Sequence, residues 1–157
     1  MGADHGASSA YASVNEGAFV AERYAAVGAF VVGGPGGLDP VVAGIVLTAG
    51  KLPAWRLAAD RTELQRLRRR TEATWAAVDV LALPTVPGLP TPEAVAADPL
   101  GVNAALGHYT TFANLLDLSA LSFPVGPPLP DHPPVSTTLL GRAWHDDLLV
   151  AVASALV

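Results

Sequence analysis

Residues 109–126 read YTTFANLLDLSALSFPVG, an apolar stretch with a single formal charge at Asp117, and the fold turns on what this stretch is. A membrane-spanning helix needs about 20 predominantly apolar residues. Asn114, Asp117 and Pro124 interrupt this one. It divides instead into a helix over TTFANLLDL, with Thr110 or Thr111 as its cap, and a buried strand over ALSFPVG that ends at Pro124. Leu121 to Val125 reads as a central strand.

Two further strands lie on either side of it. VDVLALPT, residues 78–85, is a short apolar run closed by proline, the pattern of a strand buried on both faces of a parallel or mixed sheet. VSTTLLG, residues 135–141, is the third. It leads into HDDLLVAVASALV, whose two aspartates suit a helix N-terminus. Between the first two strands, PEAVAADPLGVNAALG forms one or two short helices. Upstream the spacing is helical. Val20, Tyr24, Val27 and Val31 in EGAFVAERYAAVGAFVV share a face, and GGPGG ends that helix. Asp39 before Pro40 is an N-cap and N1 pair for VVAGIVLTAG, which Gly50 closes. From Pro53 to about Ala77 a long charged helix turns Leu57, Leu64, Leu67, Thr71 and Trp75 inward and its arginines to water. Helices interleaved with buried strands predict an α/β fold, and no internal repeat is present. Three strands are few for so much helix, and open sheet edges are costly, so further strands are expected from elsewhere.

The 157 residues suit one domain, and 51% hydrophobic with 15% charged residues supply ample core. A formal net charge of -5 gives no field to attract nucleic acid or anionic lipid, though a small anion held by one base remains compatible. No cysteine is present, which excludes disulfides and thiolate chemistry. The start, MGADHGASSAYAS, has neither the basic residues nor the apolar run of a signal peptide, and residues 1–14 read as a flexible lead. The expected location is the cytoplasm, with neither a membrane nor a nucleic-acid partner.

Few residues can carry chemistry. Projected at about 3.6 residues per turn, Arg23 falls within the apolar arc of Phe19, Val20, Tyr24, Val27, Phe30 and Val31. A buried guanidinium needs an anion or several carbonyls. Two partners fit: Glu16, two turns earlier, which spacing favours, and a bidentate substrate carboxylate. Ser8 and Ser9 lack the strand-turn-helix setting of a nucleophile. His145, Asp146 and Asp147 are adjacent and splay apart, so helix capping suits them better than catalysis or metal ligation. The same reservation covers His5 and His132, whereas His108, between Gly107 and Tyr109, is the histidine best placed to line a pocket. Arg61, Arg66, Arg68, Arg69 and Arg70 share their helix with Asp60, Glu63 and Glu72 and form a solvated, paired face rather than a nucleic-acid patch. The single lysine, Lys51, sits in a turn.

Taken together, NEGAFVAERYAAVGAF, LDPVVAGIV, VDVLALPTVP, ADPLGVNAALGHYTTFANLLDLSALSFPVG and GRAWHDDLLVAVA resemble the later part of the amidase-signature family, of the allophanate hydrolase type. The likeness runs from Asn15 to Val157. It implies an α/β/α sandwich around a mixed sheet, with residues 15–157 as the C-terminal part of an amidase-type domain. It also implies hydrolysis of allophanate to ammonia and carbon dioxide in urea breakdown, with no cofactor and no metal. The family's Ser-Ser-Lys triad and oxyanion loop lie in a glycine- and serine-rich segment upstream of these motifs, which this sequence lacks. Lys51 falls downstream of that segment. The chain alone is therefore expected to be inactive. The resemblance makes Arg23 the ligand of the substrate carboxylate. It places Asn15 where the family has a tyrosine sharing that anion, and Gly107, Tyr109 and Thr111 beside the pocket. PDHPPVS replaces a glycine-rich turn such as GLPFG. The expected partners are a substrate carboxylate, a separate N-terminal amidase fragment and, through open sheet edges, a second copy in a homodimer. Two alternatives stay open: a non-catalytic remnant or interaction module, and part of a different amidase-signature enzyme.

Overall fold

The structure, a computed structural model, describes residues 19–126 and 135–156. Ser8, Ser9, His5, Asn15, Glu16, His132 and most of the PDHPPVS loop lie outside them. The chain forms two compact units that divide between Leu67 and Arg68.

In the first unit, α1 spans Val20–Val32 and α2 Pro40–Thr48, followed by a 3-10 turn at Ala49–Lys51 and the first turns of α3, Ala54–Trp75. The α1–α2 turn relies on glycines, since Gly34 and Gly37 take φ of 63° and 82°. Asp39 caps α2 as expected, accepting from the N–H groups of Val41 at 2.8 Å and Val42 at 3.1 Å, with Pro40 opening the helix. Helices α1 and α2 pack together, and Tyr24 of α1 reaches the 3-10 turn that follows α2. A Cβ added at Gly28 would stand 2.8 Å from the Tyr24 ring, and one at Gly50 3.1 Å from its outer end. The ring is thus clamped between Gly28 of α1 and the 3-10 turn: a Cβ at Gly28 would force something to shift, and one at Gly50 would press tightly on the ring.

That clamp corrects the expected orientation of α1. Val20, Gly28 and Val31 are buried, but Val27 is 44% and Phe30 63% exposed, and Arg23 is exposed as well. Placing Arg23 on a buried face assumed that the whole apolar arc is covered. Tertiary packing covers only the part that meets α2. Along α3 the predicted stripe holds: Leu64 and Leu67 are buried and Leu57 half-buried. Asp60, read as part of the solvated face, is instead only 7% exposed and accepts from Arg56 Nε at 3.0 Å.

The second unit holds the sheet: β1 Leu81–Pro84, β2 Ser119–Pro124 and β3 Ser136–Gly141, in the order β1-β3-β2. Both pairings are antiparallel, with Leu81 opposite Leu140 and Leu121 opposite Leu139. The sequence pattern pointed to parallel or mixed pairing for VDVLALPT and to a central position for Leu121 to Val125. Here β3 is central, β1 and β2 flank it, and exposed residues alternate along both flanking strands. A run of apolar residues cannot distinguish a doubly covered strand from an edge strand whose second face is partly covered.

Because successive strand residues face opposite ways, neighbouring leucines of β3 reach separate cores. Leu140 joins Trp75 of α3 and Ala113 of α6 (Thr111–Leu116), with Leu81, Leu83 and Phe112 around them. Leu139 joins Leu149 and Ala153 of α7, Asp146–Ser154, with Leu121 and Phe123. The result is a helix-rich three-layer α/β/α arrangement. Two short helices, α4 at Pro92–Ala97 and α5 at Pro99–Leu106, lie between β1 and α6, each opened by a capped Thr-Pro or Asp-Pro pair. Among the described residues, no single helix is long and apolar enough to cross a membrane.

Candidate functional site

The predicted wall residues sit where α5 ends. Gly107, the C-cap of α5, begins a 3-10 turn, Gly107–Tyr109, whose carbonyl at Gly107 accepts from the Thr110 N–H at 3.1 Å. Thr110 then occupies the N-cap position of α6. Its carbonyl accepts from Ala113 N–H at 3.0 Å, but its hydroxyl makes no capping bond, so the turn is held by backbone rather than by the side-chain cap expected. A Cβ at Gly107 would run into Thr111 Oγ1, so a larger residue there would require that hydroxyl to rotate away. Gly107, Tyr109 and Thr111 are all half-buried, the first two in this turn and Thr111 at the start of α6. His108 is exposed, its ring set edge-on to Tyr109 at 4.8 Å between centroids. The carboxyl end of α6 closes on Asp117, at φ 59° and ψ 50°, the left-handed cap that Asp tolerates.

Arg23 belongs to the first unit, on the exposed side of α1. Neighbouring Glu22 pairs with Arg61 Nη2 at 3.1 Å, and among the described residues no hydrogen bond or ion pair engages Arg23. Lys51 is exposed in the 3-10 turn.

His145, Asp146 and Asp147 take the helix-start role that their spacing suggested. His145 is the N-cap of α7, and both aspartates lie in its first turn. The hydroxyl of Ser119, on β2, donates to Asp146 Oδ2 at 3.1 Å and accepts from the His145 N–H at 3.2 Å. The sequence pattern offered no sign of this cross-link between strand and helix. Nor did it single out Arg68, whose Nε and Nη2 both donate to the Leu115 carbonyl at 3.0 and 2.7 Å, satisfying a free acceptor of the last turn of α6. Among the described residues, no group of three or more His, Asp or Glu side chains could hold a metal ion.

Two cavities open in the second unit. One, of about 340 Å³, is apolar and lies between the Pro87–Pro90 loop and Val102, Ala105 and Leu106 of α5, next to the Gly107 turn. The other, of about 330 Å³, is polar and has Trp75, Leu116 and Leu118 among its lining residues, together with Arg68, Glu72, Asp117 and Arg142.

The family model described as Amidase matches residues 18–150. The urea amidolyase of Lachancea kluyveri is 40% identical over 141 residues, which is 88% of this chain and 8% of that protein. Kluyveromyces lactis allophanate hydrolase superposes with a TM-score of 0.88 at 34% identity, covering 98% of this chain and 25% of that one. The K. lactis urea amidolyase superposes at 0.88 and 33% identity, over 97% of this chain and 9% of that one. The chain thus spans less than a tenth of the length of the urea amidolyases it matches.

Proposed function

The chain belongs to the Amidase family, and on that premise we propose that residues 15–157 act as the later part of an allophanate-hydrolyzing amidase domain, cleaving a C–N bond of allophanate during urea breakdown. The observation that carries this reading is the 0.88 superposition on an allophanate hydrolase over 98% of the chain. In this reading the nucleophile, its base and the oxyanion donors come from a preceding segment, on the same longer polypeptide or on a separate one. This part supplies a wall and an anchor.

The anchor is Arg23. Its exposed guanidinium, unengaged among the described residues, suits a bidentate contact with the substrate carboxylate. Asn15 shares that anion in the same reading, and Gly107, Tyr109 and Thr111 border the reacting group. Gly107 and Tyr109 share one 3-10 turn and Thr111 opens the helix that follows it, and this closeness along the chain supports their acting together. A cytoplasmic location and self-association into a homodimer through open strand edges belong to the proposal as well. Fractionation and light scattering test them.

Complementation tests the central claim. The chain mixed with an amidase-signature segment carrying the serines and lysine should release ammonia from allophanate, and neither part alone should. Arg23→Ala in the active mixture should raise KM about 10- to 100-fold, the loss expected for a hydrogen-bonded charge. A mixture that forms a complex yet releases no ammonia overturns the reading in favour of a non-catalytic interaction module. A second reading, a different amidase, draws on the apolar cavity beside Gly107, which suits a substrate with an alkyl or aromatic group. Turnover of such an amide by the complemented enzyme, unaffected by Arg23→Ala, would favour it.

A further inference from the structure

The polar cavity of the second unit is lined by two guanidiniums, Arg68 and Arg142, two carboxylates, Glu72 and Asp117, and by Thr71 and His145. None of these has a part in the proposed hydrolysis. Arg68 commits Nε and Nη2 to the Leu115 carbonyl and keeps Nη1. Arg142 donates Nη1 to Glu72 Oε2 at 2.9 Å and keeps Nε and Nη2. That pair is solvent-exposed on both sides, at 41% and 62%, so it is weak and exchangeable. Among the described residues, the carboxylate of Asp117 and the ring of His145 have no partner.

Backbone strain marks the same place. Only two non-glycine residues among those described have positive φ, Asp117 at 59° and Trp144 at 65°. Asp117 lines the cavity, and Trp144 lies between Ala143 and His145, which also line it. Left-handed Asp is tolerated at a helix C-cap, whereas the 93% exposed Trp144 takes a costly left-handed conformation as the third residue of a turn in which the His145 N–H donates to the Arg142 carbonyl at 3.2 Å. Strain of this kind concentrates at binding sites.

We propose that this cavity binds a small zwitterion carrying both a carboxylate and an ammonium group, of the free α-amino acid class. The charges select it. A simple anion would face Glu72 and Asp117, and a simple cation would face Arg68 and Arg142. A ligand with both charges pairs its carboxylate with the spare Nε and Nη2 of Arg142 and its ammonium with Asp117. The volume, near the lower end of small-molecule sites, suits a ligand of that size.

The test is a heteronuclear NMR titration of the full chain with L-alanine, with acetate and with methylammonium. L-alanine should give saturable shifts at Asp117, Arg142 and Trp144, while acetate and methylammonium bind at least about tenfold more weakly. D117N, which keeps a residue tolerant of positive φ, and R142Q should each weaken L-alanine binding about tenfold or more without altering the spectrum elsewhere. No saturable shift with L-alanine, equal binding of acetate, or unchanged binding by D117N would each overturn the proposal.

Discussion

Alanine placed at Gly28 and at Gly44 should move stability in opposite directions, although both glycines lie inside helices of the same unit. In a helix interior, Gly→Ala gains about 0.8–1.0 kcal/mol from reduced backbone entropy in the unfolded chain and better helix propensity. At Gly44 nothing lies within 4 Å of the new Cβ, so G44A should show that gain undiminished. At Gly28 the new Cβ would sit 2.8 Å from the Tyr24 ring, about 0.7 Å short of an ordinary carbon contact of 3.5 Å. The outer part of the ring also lies close to Gly50, where an added Cβ would stand 3.1 Å from it, so the ring has neighbours to displace if it shifts. Overpacking of this kind costs about 1–3 kcal/mol, so G28A should lie about 1–3 kcal/mol below G44A. Urea denaturation measures this as a shift in midpoint at constant m. In a chain of this size each kcal/mol also moves Tm by about 2–4 °C. A Tyr24→Ala background removes the clash and should turn Gly28→Ala stabilising, a coupling that a double-mutant cycle reads directly. If G28A is as stable as G44A in the native background, the clamp on Tyr24 does not exist, and with it goes the explanation of why α1 presents Arg23 outward.

Other outcomes follow from the second unit. Ser119→Ala removes one hydroxyl that serves two partners in a nearly buried position, and should cost about 1–3 kcal/mol of stability, with amide exchange accelerated first at the start of α7. Glu93, in the first turn of α4, has its carboxyl held below the usual carboxylate range by its own backbone N–H and then by the Thr91 hydroxyl. A depressed folded-state value means that this small contribution is present above the unfolded pKa and disappears as pH falls through the folded one. An acid titration of α4 exchange protection should show that loss in the wild type and none in Glu93→Gln.

Helix positions were the most legible part of the sequence. Asp39-Pro40, the glycine turns and the α3 stripe are local signals, and each reappears where its spacing put it. The aspartates after His145 were likewise readable as a helix start from their place before an apolar run. Strand order was not readable. VDVLALPT and ALSFPVG look alike as apolar runs, and nothing local says that VSTTLLG lies between them. Site candidates came from two sources. Resemblance picked out Arg23 and the Gly107–Thr111 turn, but the polar cavity escaped notice because Arg68, Asp117 and Arg142 are distant in sequence and each reads as an ordinary surface or capping residue.

Residue order alone was enough for the α/β class, the approximate places of the helices and the family, because caps, breakers, periodicity and motifs are written in short runs of neighbouring residues. Tertiary structure decided which strand is central, which part of the α1 arc is covered, and which charges meet around one cavity. Those outcomes depend on contacts between residues tens of positions apart, where burial follows from what packs against a face rather than from how apolar the face is.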